Sequence, residues 1–421
     1  MRMNKLTKIK AGITAVFFVL AIVIVLATGM GRSAFDAKIG KIVAPYQFNL
    51  FNWEIEALSY QLDELLFGDS NIAAEDSQMV LEYFEIRQQA SNLEWQIELV
   101  VSGIKSGNLE EIRNQLKDIQ QQMESLRTKA EKVLELQIQA TMAKMDIYNP
   151  LDEYLNIDIT FPPVSFELEA PPYLLVISPN DSIERIKEIM LSPDLAIEER
   201  IATEENVDEL GVSSLVVGIG GIATYPSFVI DTASLQRTIE IAVEEWLHQY
   251  LFFRPLGFYY ALHIAGVARD YDIAVMNETA VGIASDEIGA ILYKNYYASY
   301  IEEEDNSQPS DEQEEEPAFD FYEEMRQIRL AVDELLANGQ VDEAEAFMEE
   351  KRLFILSNGY YIRKLNQAYF AFYGTYASSP TSVNPIGEEF RELREQVDSI
   401  SQFLNTAAAM TSRGDLVDSI N

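Results

Sequence analysis

The chain is 421 residues long, enough to bury a sizeable core in two or three structural units, and its net charge is -38, from 69 Asp and Glu against 31 Lys and Arg. That excess of negative charge excludes nucleic acid and an anionic lipid surface as partners, because both would repel it. There is no cysteine, so disulfides and thiolate chemistry are excluded, and a metal would have to be held by Asp, Glu, carbonyl oxygen or one of only two histidines, His248 and His263.

Residues 1–10 form a basic tail containing Arg2, Lys5, Lys8 and Lys10, followed by an uncharged run over 11–30 rich in Val, Ile, Leu and Phe. That length spans a bilayer as a helix and exceeds the apolar stretch of a usual cleaved signal peptide. The basic flank is expected in the cytoplasm, giving a single-pass anchor in the cell membrane with the bulk of the chain extracytoplasmic. Small residues near Ser33 and Ala34 leave removal of the segment open.

Within 45–150 the spacing predicts a helical hairpin or stalk. Met79, Tyr83, Ile86, Ala90, Leu93, Ile97, Val100 and Ile104 recur at steps of four and three, and Ile112, Leu116, Ile119, Met123, Leu126, Ala130 and Val133 repeat the pattern after a turn at Ser106-Gly107-Asn108. A packing arm is the plain reading of such a hairpin; a docking partner or self-association is the sharper one.

Over 155–300 an α/β region is expected. Paired prolines at 162–163 and 171–172 bracket short β-rich runs at 164–169 and 173–178, residues 181–190 read as a helix capped by Asp181 or Ser182, and 215–223 and 227–230 read as strands. A helix then opens at Asp231-Thr232, with Ser234 as a further cap. A second helix runs over 277–297. Residues 301–318 are an acidic linker with the composition of disorder, and 319–412 a helical region with one pair, 319–337 and 341–373, joined at Asn338-Gly339. The fold class expected is α+β, predominantly helical.

Residues 238–253 carry apolar side chains around most of a helix, interrupted by one stripe of Glu240, Glu244, Glu245, His248 and Gln249. Glu244 and His248 are one turn apart, so they share a face, and a buried helix must neutralise such groups with partners or a metal. An acidic solvent face with a Glu244–His248 ion pair is the plain alternative.

This helix, followed by Asn277-Glu278, resembles the gluzincin-type zinc metallopeptidases, whose pattern is H-E-x-x-H on one helix and N-E on the next. The run Trp246 to Leu251 and the R-P-L-G of Arg254 to Gly257 are similar to extracytoplasmic bacterial members. The resemblance implies a zincin-like core, a small sheet with active-site helices. It makes His248 and Glu278 metal ligands, Glu245 the catalytic base acting on metal-activated water, and a peptide or protein the substrate, paired along an edge strand within 215–223, for which a plain core strand is the equal alternative.

Two residues depart from the pattern: Val281 stands where the downstream element usually has alanine, and the second departure is the more serious. Glu244 stands at the first histidine, so the implied metal set is Glu244, His248 and Glu278. Two carboxylates cancel a divalent charge that two histidines would leave positive, which lowers Lewis acidity and favours harder ions; the cofactor expected is zinc, another divalent metal such as manganese, or none. The replacement leaves two rivals to peptide-bond hydrolysis, a catalytically inactive relative and an anchored helical scaffold or binding protein. His263 lies in an apolar context and is expected to be a satisfied core histidine. A tyrosine within 366–373 is a candidate oxyanion donor, with core packing the plainer reading.

Overall fold

The computed structural model describes residues 34–48, 73–150, 160–232, 234–264, 267–268, 270–298, 319–374 and 384–421. The basic tail, the apolar run 11–30 and the acidic segment 301–318 lie outside the described residues. Among the described residues no helix is long and apolar enough to cross a membrane.

Helices dominate, with two three-stranded sheets between them. After a short α1 (Ala34–Val43), the expected hairpin is α2 (Ser77–Val101) and α3 (Leu109–Lys144), which pack along each other. Asn108 starts α3 by accepting the Glu111 N–H, and Gly103, at φ 73, ends the preceding turn. The hairpin is not a free stalk. The second half of α3 buries Ala130, Val133, Leu134, Ile138 and Met142 in the main core, and the Tyr297 hydroxyl donates to Gln137 Oε1 at 2.6 Å. Tyr83 on α2 donates to Asp231 at 2.5 Å, and Arg87 lies 3.2 Å from the same carboxylate. The hairpin is therefore bound to the segment that precedes α5 (Leu235–Leu251).

One sheet has the order β3-β2-β4, from β2 (Tyr173–Pro179), β3 (Lys187–Leu191) and β4 (Val212–Val217), all antiparallel. Helices α1 and α4 (Ile197–Asp208) supply Ile39, Val43 and Val207 to the cluster on one side of it. The other sheet has the order β1-β6-β5, with β1 (Phe166–Leu168) parallel to β6 (Ser227–Val229) and β5 (Gly221–Ile222) antiparallel to it.

Three of the four sheet edges are closed. Outside β3, Phe48 N–H donates to Met190 and Ser192 N–H to Tyr46. On β4, the Val216 N–H donates to Glu204 at 2.6 Å and the Ser214 N–H to Asp208 at 2.8 Å, while Arg363 and Asn366 donate to the Val216 and Ser214 carbonyls. On β1, the Leu168 N–H donates to Glu131 at 2.7 Å and the Phe166 N–H to Glu135 at 3.2 Å. The outer edge of β5 alone carries no such partner among the described residues. Ile230 N–H donates to the Gly220 carbonyl, so in the alternating antiparallel pattern Gly221 turns its own N–H and C=O to that open edge.

Several expected elements take another form. Residues 181–190 are a turn and the strand β3, because pairing with β2 satisfies the backbone while Ile189 and Leu191 join Leu175 and Ile177 in one cluster. The expected strand 215–223 divides into β4 and β5, which belong to different sheets, at the glycine-rich 218–220. The helix expected from 277 starts earlier, as α7 (Tyr271–Tyr296), because Asp270 caps it by accepting the Ile273 N–H at 3.1 Å. In the C-terminal region α8 (Phe321–Ala337) and α9 (Val341–Ser357) join at Gly339 as expected, but Gly359, at φ 91, stops α9 and Asn366 caps a separate α10 (Gln367–Tyr373). Helices α11 (Ile386–Gln396), α12 (Ile400–Ala408) and α13 (Arg413–Ile420) follow, the last lying beyond the expected boundary at 412.

The carboxylates that close β1 set a pH dependence. Burial pushes the Glu131 carboxyl up to about 8. Between its ordinary value near 4.5 and about 8 the folded chain keeps this proton while the unfolded chain has lost it. Stability is thus expected to fall as pH rises through that window, by a few kcal/mol on the order of 1.4 per pH unit, and to level off above it. Urea unfolding of Glu131→Gln across pH 5 to 8 should show a shallower decline than wild type.

Candidate metal centre

The helix at the heart of the site is α5 (Leu235–Leu251), started by Ser234, whose hydroxyl accepts the Arg237 N–H at 3.3 Å. Ile239, Val243 and Leu247 are fully buried, and Trp246 donates its indole N–H to the Pro162 carbonyl at 2.8 Å. Gln249 donates to the Thr224 carbonyl at 2.5 Å and to the Ser227 hydroxyl at 2.8 Å, tying the helix to the loop between β5 and β6.

The R-P-L-G sequence turns the chain sharply into α6 (Pro255–Ile264). A Cβ at Gly257 would lie 2.2 Å from Leu251 C and O, so only glycine lets α6 start this close to the end of α5. Gly257→Ala is expected to destabilise the fold by about 3 kcal/mol, read as a lowered urea midpoint with unchanged slope. The third element, α7, runs antiparallel to α5. Their approach is close at Gly289, where a Cβ would lie 2.7 Å from Glu240 Cγ.

These elements gather the sequence-predicted residues. One ligand atom each of Glu244, His248 and Glu278 lies within 4.8 Å of the other two. His248 Nε2 is 3.8 Å from Glu278 Oε2, and His248 Nδ1 is 2.9 Å from Asn277 Oδ1. With the ring proton on Nδ1 donated to Asn277, the lone pair of Nε2 faces the carboxylates. Asn277 is fully buried, so this orientation is held inside the core.

The cluster is short of positive charge. Burial, then the neighbouring Glu278, pushes the Glu244 carboxyl up. Its nearest cation is Arg237, whose guanidinium is 3.9 Å from Glu244 Oε2 and also faces Glu240 at 3.2 Å and Asp286 at 3.6 Å. Glu245 is 8% exposed and is pushed well up by burial, then by Glu244 and Glu278. Its carboxylate has no hydrogen-bond partner among the described residues.

These residues fit a divalent cation. Two carboxylates and an oriented imidazole converge, and an ion between them would relieve the repulsion that raises the carboxyl values. Glu245 lies against the face of β5 at Gly221, since a Cβ on Gly221 would sit 2.5 Å from Glu245 Oε1. The expected edge strand is thus β5, and its glycine leaves room for the carboxylate.

The expectation for His263 changes, and the tyrosines of 366–373 take the plainer of their two readings. His263 is half-buried rather than a core residue, and its Nδ1 accepts the Asp270 N–H at 2.9 Å in the turn before α7, outside the three-ligand group. Tyr369 and Tyr373 pack beside Val176, Leu215 and Val217 on the β2–β4 sheet, so their ring surface serves the core. The tyrosine at the cluster is Tyr260 on α6, which donates to Glu278 Oε1 and stacks on His248 with ring centroids 5.5 Å apart. Nothing in its apolar sequence context separates it from the other tyrosines of the chain.

Comparison of the chain with protein-family models, curated proteins and solved structures gives no match.

Proposed function

We propose that the protein is a membrane-anchored, extracytoplasmic, gluzincin-like metallopeptidase. Glu244, His248 and Glu278 would hold the metal, zinc or a harder divalent ion such as manganese. The observation that carries this reading is the convergence of those three ligand atoms within 4.8 Å, next to a base and an open strand edge.

The roles of the chain's own residues follow from their surroundings. Asn277 fixes the imidazole tautomer, so that Nε2 is the donor atom. An extended peptide laid along β5 would pair with the outward N–H and C=O of Gly221, which supports a polypeptide rather than a small ester as substrate. Glu245, beneath that edge, would accept a proton at its carboxylate from the attacking water and pass it to the departing amine. A divalent ion supplies Lewis acidity to the carbonyl and acidifies water. Burial excludes bulk water from Glu245, which matches a base whose affinity for protons is raised above that of a free carboxylate.

Elemental analysis of the full-length protein tests the reading. One equivalent of zinc or manganese is expected in wild type and none in His248→Ala; wild type that stays metal-free after incubation with a modest excess of either ion would remove the metal from the proposal. The Glu at position 244 favours one rival, an inactive relative that keeps the cleft. Metal bound without hydrolysis of an unfolded protein substrate would establish that rival.

A further inference from the structure

Tyr260 touches two of the three ligand residues through two different parts of its side chain. Its hydroxyl donates to Glu278 Oε1, and its ring lies nearly parallel to the His248 imidazole, 18° between planes and 5.5 Å between centroids. The residue is half-buried and sits on α6, the helix that connects the two ligand-bearing helices α5 and α7.

We propose that Tyr260 is a positioning residue of the metal centre, which selects Oε2 of Glu278 as the ligating oxygen and holds the imidazole plane of His248. The inference rests on the metal reading given above and adds to it a residue from a third element. A carboxylate has two equivalent oxygens and rotates about its last bond, so an unrestrained glutamate can offer either oxygen or both. Here Oε1 accepts the Tyr260 hydroxyl, which lowers its availability to an ion, and Oε2 is the oxygen that faces His248 Nε2 at 3.8 Å. The ring does the same for the second ligand. Asn277 fixes one nitrogen of His248 but leaves rotation about that hydrogen bond, and a flat neighbour on the ring face removes that freedom. Ordering the donors before the ion arrives lowers the entropy lost on binding.

This arrangement bears on the replaced ligand. In a set with two carboxylates, each free to bind through two oxygens, the ion could be taken up in several geometries. Tyr260 removes that multiplicity at Glu278, whereas among the described residues the one cation beside Glu244 is Arg237, at 3.9 Å. Tyr260 therefore makes Glu278 the ordered carboxylate ligand and leaves Glu244 the adjustable one.

The test compares wild type, Tyr260→Phe and Tyr260→Leu as full-length proteins, with Mn2+ and Zn2+ titrated by calorimetry and the Co2+ absorption spectrum recorded. The phenylalanine keeps the ring on His248 and removes only the hydroxyl. It is expected to bind ions on the order of 10-fold more weakly and to shift the Co2+ bands, and leucine is expected to lose more. A thermal scan of the ion-free proteins separates this from general loosening, because a merely structural tyrosine would lower the melting temperature and leave the affinity of the folded fraction unchanged. Equal affinity and equal Co2+ bands in wild type and Tyr260→Phe would overturn this inference alone. Wild type that binds no ion would overturn the metal reading and this inference together. Should the variants not fold, a crystal structure of ion-loaded wild type decides: Glu278 must bind through Oε2 with Oε1 on Tyr260, and both oxygens on the ion would sink the idea.

Discussion

Glu245→Gln is expected to lower kcat/KM for an unfolded protein substrate by roughly 100-fold to 10,000-fold while leaving the bound metal in place. The amide is nearly the same shape, so it fits beneath Gly221 as the carboxylate does, but it cannot accept the proton. The neighbouring ligand atoms belong to Glu244, His248 and Glu278, so metal content should not change. Removing the carboxyl should also raise thermal stability of the ion-free protein, because burial, then repulsion from Glu244 and Glu278, disfavours the Glu245 charge. Steady-state kinetics with metal analysis on the same samples checks both halves. Cleavage at the wild-type rate would refute the assignment of Glu245 as base.

Glu244→His is expected to tighten zinc binding by on the order of 10-fold or more and to increase hydrolysis. The wild-type set brings two carboxylates to the ion and is crowded by further carboxyl groups, those of Glu240, Asp286 and Glu245. Replacing Glu244 with imidazole removes one carboxylate from that crowd and leaves the ion with net positive charge, which strengthens its polarising effect. The variant should correspondingly lose preference for manganese over zinc. Competition against a chromogenic chelator gives both affinities. Unchanged zinc affinity would mean that Glu244 does not ligate.

Much of the site was legible along the chain because helices translate spacing into geometry. Glu244 and His248 lie one turn apart, and a side-chain pair four residues apart on a helix has little choice but to meet. Glu278 was assigned through the Asn277-Glu278 resemblance, and its arrival beside His248 depends on how α7 packs on α5. Ser234 as cap, the glycine turn at Gly339 and the repeats of the long hairpin were also readable, since each depends on a few neighbouring residues.

The failures have separate causes. The segment containing Ile183, Ile186, Ile189 and Met190 has a spacing that suits a helix, yet its second half pairs with β2, because the open edge of that strand offers backbone partners and a buried face. The helix over 341–373 breaks at Gly359, whose positive φ ends it where apolar residues continue on both sides. His263 has apolar neighbours in sequence and a turn amide as its partner in space.

The sequence by itself determined composition, charge, the absence of thiol chemistry, the helical hairpin, and the shared face of Glu244 and His248, because these depend on residue identity or on contacts within a few turns. Tertiary structure alone decided which sheet edge has no backbone partner among the described residues, that Gly221 lies over Glu245, and that Tyr260 meets both His248 and Glu278. Those features join residues far apart in the chain, and their contacts arise from helix packing and strand register, which no local pattern of apolar spacing encodes.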